Sequence, residues 1–287
     1  MGDLAAKALV CAGTEPWCKT AWFCGAQCQR DAWPTHKRFC RAYDVERKEQ
    51  ELQRLYEDGV RNITRSGVRG ALDQLQAAAD LATRQKNRMY EGLCAKWIAT
   101  CYDRLDDHAK AQAFAEQALL IARELKDWKL EAESLIGLGL VMRKQQPEGW
   151  RRALIYFEVA LSAARRHADV EVEASALGNI GAIRMMEDRA EGMRALMECA
   201  SIREDMLNAA VAQFRLTGDS GPTTAAFHNY TTSLINLGGA AYLQGDWDFA
   251  IELYEKALTH AETLSDVERQ CTILVNLANM SEVQDSL

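Results

Sequence analysis

The cysteine and histidine residues near the N-terminus are the side chains best suited to chemistry. Five of the 9 cysteines fall within the first forty residues. Cys24 and Cys28 are four residues apart, as are His36 and Cys40, so each pair can face one way from a single helical turn. Thiolate and imidazole groups are the ligands of structural zinc, and four must converge to complete a tetrahedral site. The candidate metal ligands are Cys11, Cys18, Cys24, Cys28, His36 and Cys40.

The order of these residues, together with Gln29 and Trp33, resembles the second half of a MYND-type zinc finger over roughly residues 11–41. In that family two interleaved zinc ions are held by seven cysteines and one histidine, and the finger binds short proline-containing peptides. The resemblance implies that Gln29 and Trp33 contact such a peptide.

The first half of the finger departs from the family pattern, because Glu15 stands where the third cysteine belongs. The resemblance therefore implies one nearly complete site, whose ligands are Cys18, His36, Cys40 and either Glu15 or Cys11. The other site, with Cys24 and Cys28, lacks at least one protein ligand, so we expect one zinc ion. The alternative is a metal-free finger held together by an apolar cluster of Trp17, Trp22, Trp33 and Phe39.

A second motif, Gly218-Asp219-Ser220-Gly221, matches the nucleophile signature of serine proteases. That chemistry requires a general-base histidine and an orienting acid held against the serine on a suitable scaffold. No strand-rich segment is predicted, and His228 lies beside an amphipathic helix. We expect an exposed loop here and assign no catalytic residue.

The elements that carry these residues are repeated helix pairs. The segment from Thr231 to Ala261 is predicted to form two amphipathic helices joined at Gly245-Asp246, with small residues where the helices cross. Four more copies of the pattern precede it. The first small position recurs at Gly59, Ala99, Gly139, Gly181, Gly238 and Ala278; the second at Ala71, Ala111, Ala153, Met193 and Ala250; and the third at Ala78, Ala118, Ala160, Ala200 and Ala257.

This pattern resembles the tetratricopeptide repeat, in a long-period form similar to that of the LGN/Pins adaptor, kinesin light chain and several axonemal proteins. The spacing is forty residues from 59 to 99 and from 99 to 139, whereas the common repeat has a period of about 34. Asn and Asp recur twelve residues before the first small position as predicted helix N-caps, at Asn87, Asp127, Asp169 and Asp266. The fifth repeat has Ala226 there, after an insertion.

We therefore predict an all-α protein: a MYND-like finger over 11–42, then a tetratricopeptide solenoid over 44–285 of about five helix pairs and a final helix. The insertion is placed at about 206–227, as a lengthened helix followed by an exposed loop running to Pro222.

The inner surface of such an array is lined by the first helix of each pair. The residue two before the first small position is asparagine in the last three units, and its amide offers both a donor and an acceptor to an extended peptide. The alternative is that these amides bond neighbouring backbone. The candidate groove residues are Asn179, Asn236, Asn276, Arg143, Met185, Tyr242 and Trp97.

Composition narrows the function classes. A net charge of −7 disfavours non-specific nucleic-acid binding, and the absence of any run of about 18 apolar residues predicts no membrane span. The cysteine distribution indicates a reducing, intracellular compartment.

We predict a non-enzymatic protein–protein adaptor within a large complex. An N-terminal finger followed by long-period repeats resembles proteins of ciliary and flagellar axonemes, bound to dynein- or microtubule-associated assemblies. One alternative is a cytosolic or nuclear recruiter of proline-containing peptides. The other is an enzyme related to MYND-type lysine methyltransferases, which the missing strand-rich catalytic domain disfavours.

Overall fold

The computed structural model describes residues 9–10, 22–23, 47–63, 67–144 and 148–284. The chain divides into two compact units, Met1–Trp97 and Ile98–Leu287. Among the described residues, all but a two-stranded ladder and short turns are helical. The predicted all-α solenoid is confirmed, and its described helices form five pairs followed by one further helix.

The helices follow one another in chain order. They are α1 (47–63), α2 (Val68–Gln85), α3 (Arg88–Arg104), α4 (His108–Leu125), α5 (Trp128–Lys144), α6 (Glu148–His167), α7 (Val170–Glu187), α8 (Arg189–Thr217), α9 (Gly221–Gln244), α10 (Trp247–Thr263) and α11 (Val267–Gln284). Odd-numbered helices are the first of each pair and even-numbered helices the second.

The helices begin where short polar side chains cap them. The carboxylate of Asp127 accepts from the Leu130 amide at 2.9 Å, and that of Asp169 accepts from the Val172 amide at 3.0 Å. Asn87 and Asp266 make the same bond, so all four predicted caps are confirmed. Second helices are capped too, in a way that the sequence pattern did not single out, by Asp107, Asp188 and Asp246.

Four of the turns between pairs share one backbone conformation. In these turns the residue before the first-helix cap is left-handed without being glycine: Lys86, Lys126, Ala168 and Ser265 have φ between 54° and 56°. The following cap residue donates its own N–H back into the preceding helix, as Asp127 does to Ala122 at 3.0 Å. One residue therefore ends one helix and starts the next.

The helices of four pairs cross at glycine, and the second pair has Ala99 at the equivalent position. A Cβ on Gly59 would lie 2.8 Å from Leu75 Cγ, and one on Gly181 would lie 2.7 Å from Leu196 Cγ. The alanines Ala78, Ala118, Ala160 and Ala257 are 0% exposed. Larger side chains at these positions would force the helices apart, which confirms these repeat positions.

The fourth repeat corrects the predicted register by one residue. Gly192 and Cys199, rather than Met193 and Ala200, hold the second and third small positions, because Leu196 between them covers Gly181. A Cβ on Gly192 would lie 2.5 Å from the backbone nitrogen of Met185. Only Asp188 separates α7 from α8, so the shortened turn moves the second helix one residue earlier.

The insertion is formed by two helix extensions, and the predicted exposed loop is shorter than expected. Helix α8 has 29 residues and ends at Thr217. Helix α9 then begins at Gly221, with Pro222 in its first turn, so only residues 218–220 connect them. Thr223 Oγ1 donates to the Ala210 carbonyl at 3.2 Å and joins the two extensions. Ala226 lies within α9, which explains the missing cap.

The N-terminal ladder pairs two short strands, β1 (Leu9–Val10) and β2 (Trp22–Phe23), in antiparallel register. It joins the segments that directly precede Cys11 and Cys24 in sequence. The predicted zinc ligands and the peptide-contacting Gln29 and Trp33 lie outside the described residues.

Candidate functional site

The inner face of residues 98–287 is formed by first helices that pack on one another. Helix α5 contacts α7, and α7 contacts α9. Each also packs on its own second helix, α6, α8 or α10. We define the inner face as the surface of α5, α7, α9 and α11 that points away from these second helices.

Asn179 and Arg143 connect α5 and α7 on this face. Arg143 donates to the Asn179 side-chain oxygen at 3.4 Å, and the Asn179 amide nitrogen donates to the Ser175 carbonyl at 2.8 Å. Burial lowers the pKa of Arg143, while the nearby charge of Asp103 opposes that shift. Asn179 therefore uses its donor on its own helix and holds a half-buried cation with its acceptor.

Asn236 and Asn276 occupy the equivalent positions on α9 and α11. Asn236 is exposed and Asn276 is half-buried. Within the part of the chain that the structure describes, neither side-chain amide forms a hydrogen bond. These two amides have both donor and acceptor available to a ligand.

The apolar residues of the face are displaced by one position from those that the sequence indicated. Met185 is 5% exposed and belongs to the core beneath α9, whereas its neighbour Met186 is 64% exposed. Tyr242 is half-buried, and Leu243 beside it is 50% exposed. One residue rotates a side chain by about 100° around a helix, so Met186 and Leu243 offer surface that Met185 does not.

Lys144 shows that this shifted position reaches the neighbouring first helix. It occupies the same register on α5 as Met186 on α7 and Leu243 on α9. Its ammonium lies 3.0 Å from the Asp103 carboxylate on α3 and also donates to the Asp103 carbonyl. No sequence signal separates Met186 and Leu243 from their neighbours Met185 and Tyr242, because the residues of each pair are adjacent and apolar.

Trp97 belongs to the first unit. Its indole Nε1 donates to the Tyr56 hydroxyl at 3.0 Å, and Lys96 lies 4.7 Å from the ring centroid. Tyr56 and Tyr90 meet edge to face at 5.5 Å. Trp97 is thus a half-buried member of an aromatic cluster.

The described residues bring together no site for nucleophilic catalysis. Ser220 is exposed at the start of α9, while His228 Nδ1 lies 3.2 Å from Asp266 Oδ2 and contacts Arg269 instead. Burial raises the pKa of the Cys94 thiol to about 12, which keeps it protonated. No group of three potential metal ligands occurs in the described segments, and no described helix has the length and apolarity to cross a membrane.

Family comparisons agree with this geometry. A MYND finger model matches residues 5–40, and tetratricopeptide repeat models match residues 93–166 and 233–268. The chain carries a MYND finger and tetratricopeptide repeats. No curated protein matches the chain.

Solved structures share the tetratricopeptide solenoid at low sequence identity. NprR in complex with its cognate peptide NprX is 18% identical, with a TM-score of 0.64, over 82% of this chain and 63% of that chain. The apo form of RapI is 15% identical, with a TM-score of 0.56, over 78% and 74%. A signal-transduction ATPase with a tetratricopeptide sensor from Pyrococcus horikoshii is 16% identical, with a TM-score of 0.55, over 78% and 32%. These likenesses show the fold.

Proposed function

We propose that the protein is a non-enzymatic adaptor whose inner face holds an extended segment of a partner protein. The observation that carries this proposal is the pair of side-chain amides of Asn236 and Asn276, which form no hydrogen bond among the described residues and lie at equivalent positions of successive repeats. An asparagine amide can donate to a peptide carbonyl and accept from a peptide N–H, whatever the side chains of the peptide are.

The spacing of first helices suits such a ligand. Helices that pack directly lie about 8–10 Å apart, and an extended chain rises about 3.3 Å per residue. One repeat therefore spans roughly three residues of the bound segment. NprR, whose structure contains a cognate peptide, supports the general use of this fold for peptide binding.

The side chains of the inner face indicate which kind of partner segment it binds. Met186 and Leu243 provide exposed apolar surface toward the C-terminal ends of α7 and α9. Arg143 provides a half-buried positive charge on α5. We infer an extended segment with apolar residues over α7 and α9 and an acidic residue near α5.

The test replaces both unbonded amides, in an Asn236→Ala and Asn276→Ala double variant. Proteins that co-purify with the tagged wild type are quantified by mass spectrometry and compared with those of the variant. We expect loss of the main partner with an unchanged melting temperature, because neither side chain bonds within the described fold. The matched control is Asn208→Ala, an exposed asparagine on α8 away from the inner face.

Asn179 is tested separately because it also holds Arg143. Its replacement by alanine is expected to weaken partner recovery and to lower the melting temperature slightly, by leaving the Arg143 guanidinium with one bond fewer. Full partner recovery in both the double variant and Asn179→Ala would show that the inner face is not the binding surface.

We further propose an axonemal location, in a dynein- or microtubule-associated assembly of a cilium or flagellum. The support is the order of domains, a finger followed by long-period repeats. A tagged copy in ciliated cells should lie along the axoneme. A cytosolic or nuclear distribution would favour the alternative, a recruiter that binds proline-containing peptides through Gln29 and Trp33 of the MYND finger.

The MYND finger is proposed to bind one zinc ion. Its ligand set of thiolates and one imidazole has the chemistry that zinc requires. The proposed site uses Cys18, His36 and Cys40 with Cys11 or Glu15, while Cys24 and Cys28 form the incomplete second site. When bound, the metal supplies folding energy to a segment too small to build a large core.

A further inference from the structure

Helix α11 has two apolar stripes, and the described residues cover only one of them. Ile273 is 0% exposed and Met280 is 2% exposed, and both belong to the core that α9 and α10 form. The second stripe is spaced by four, three and four residues. It consists of Val267, Cys271, Leu274 and Ala278, all exposed. Spacing of this kind is typical of a seam between two helices.

In the other repeats, the first-helix positions equivalent to the exposed stripe are covered by the second helix of the pair. Leu135, Leu177 and Leu234 lie four residues before the first small position and are 2–3% exposed. Leu274 holds the same position and is 50% exposed. Three residues earlier, Ala132, Ala174 and Thr231 are 0% exposed, whereas Cys271 is exposed. The stripe therefore continues an established helix interface, and no described helix follows α11 to cover it.

The stripe is complementary to itself in antiparallel orientation. About a two-fold axis, Val267 faces Ala278 of a second copy, and Leu274 faces Cys271. Each layer then combines a larger with a smaller side chain, and the stripe contains no charge that pairing would bury. A parallel arrangement would instead oppose Leu274 to Leu274 and Ala278 to Ala278, giving one crowded layer and one loose one.

We propose that α11 is a homodimer interface, in which the α11 helices of two copies pack antiparallel along Val267, Cys271, Leu274 and Ala278. A two-fold contact of this kind uses the same patch on both subunits and closes on itself. Val275, beside the stripe, is 59% exposed.

The size of the contact sets its strength. One helix pair buries less than the roughly 800 Å² per partner of a standard interface. The dimer is therefore weak and depends on protein concentration, with dissociation in the micromolar range. If the inner face binds a partner as proposed above, the dimer presents two such faces and gains affinity for partners that display repeated segments. The dimer itself does not depend on that proposal.

The first test is sedimentation velocity of the full chain over roughly 5 to 300 µM, a range that brackets a weak dimer. The wild type is expected to shift from monomer to dimer across this range. The Leu274→Glu variant should remain monomeric, because a dimer of this variant would bury two carboxylates between the paired helices. The control Leu216→Glu alters a side chain that is 87% exposed at the end of α8, and it should dimerise like the wild type.

The second test fixes the orientation through disulfide formation. Antiparallel packing places the thiol introduced by Leu274→Cys opposite Cys271 of the second copy, so mild oxidation should give a covalent dimer in which peptide mapping finds the 271–274 link. In the wild type the two Cys271 residues are offset by three residues, about 4.5 Å along the axis. That offset adds to the helix separation and exceeds the reach of a disulfide.

Several results would overturn the proposal. The first is a monomer at every concentration, even if another helix is found to cover the stripe. The second is dimerisation that survives Leu274→Glu. The third is efficient linking of Cys271 to Cys271 in the wild type, which would indicate parallel packing. Circular dichroism of each variant verifies that the fold is retained.

Discussion

Two glycines on helix α5 allow the helix-crossing model to be tested with a matched pair of substitutions. A Cβ on Gly139 would lie 2.6 Å from Phe157 Cζ and 2.9 Å from Phe157 Cδ1. Phe157 is 0% exposed, so its ring cannot move aside without displacing its neighbours in the core. A Cβ on Gly137, half a turn away, would have no neighbour within 4 Å.

Opposite effects on stability are expected. Replacing a helical glycine by alanine stabilises by about 0.5–1 kcal/mol when nothing obstructs the methyl group. Gly137→Ala should gain that amount. Overpacking costs about 1–3 kcal/mol, so Gly139→Ala should lose up to about 2.5 kcal/mol after the same helical gain is subtracted.

The assay is urea unfolding followed by far-UV circular dichroism, with Trp fluorescence as a second probe. Trp150 is a reporter in the same repeat, because its indole donates to the Arg143 carbonyl at 3.0 Å. In a Phe157→Ala background the Gly139→Ala change should become neutral or stabilising, since the clash is gone. Equal stability of Gly137→Ala and Gly139→Ala in the wild-type background would refute the crossing geometry.

Three further predictions concern the core, protonation and metal. Ala160 is 0% exposed, so Ala160→Leu should lower the free energy of unfolding by about 1–3 kcal/mol, measured by the same urea titration. Burial, reinforced by the charge of Lys256, lowers the pKa of His260 below its ordinary 6.5. Stability should thus be greatest above that value and fall as the pH drops through it, and His260→Gln should reduce this loss in melting curves between about pH 7.5 and 5. Elemental analysis of protein purified without chelator should give about one zinc ion per chain. The Cys40→Ser variant should lose this zinc while its repeats remain helical. Absence of zinc from the wild type would contradict the ligand assignment.

Much of the solenoid could be predicted because its constraints are local. Small residues at helix crossings and Asp or Asn at helix starts can be recognised in the sequence without knowing which residues they contact. The register of the fourth repeat could not be predicted that way, because it depends on a single-residue turn at Asp188 that no composition rule identifies. The loop was predicted too long because Gly221 and Pro222 suit a turn and equally suit the first turn of a helix.

In the candidate site too, some features follow from the sequence pattern and others depend on three-dimensional packing. The position of Asn236 follows from register, but its availability depends on having no partner in three dimensions. Asn179 has the same register and uses its amide on Ser175 and Arg143. Met185 and Met186 differ by one residue in sequence, and only the packed structure shows which of them faces solvent.

The repeated turn conformation has a mechanical consequence for residues 98–287. At Lys126 and Ala168 the left-handed residue and the capping aspartate after it fix the backbone on both sides, so these junctions resist bending. The α8–α9 junction is different. It turns at Gly218, and Ser220 makes no side-chain cap bond. Tension applied along the array would therefore concentrate at residues 218–220, and this junction would yield before its stiffer neighbours.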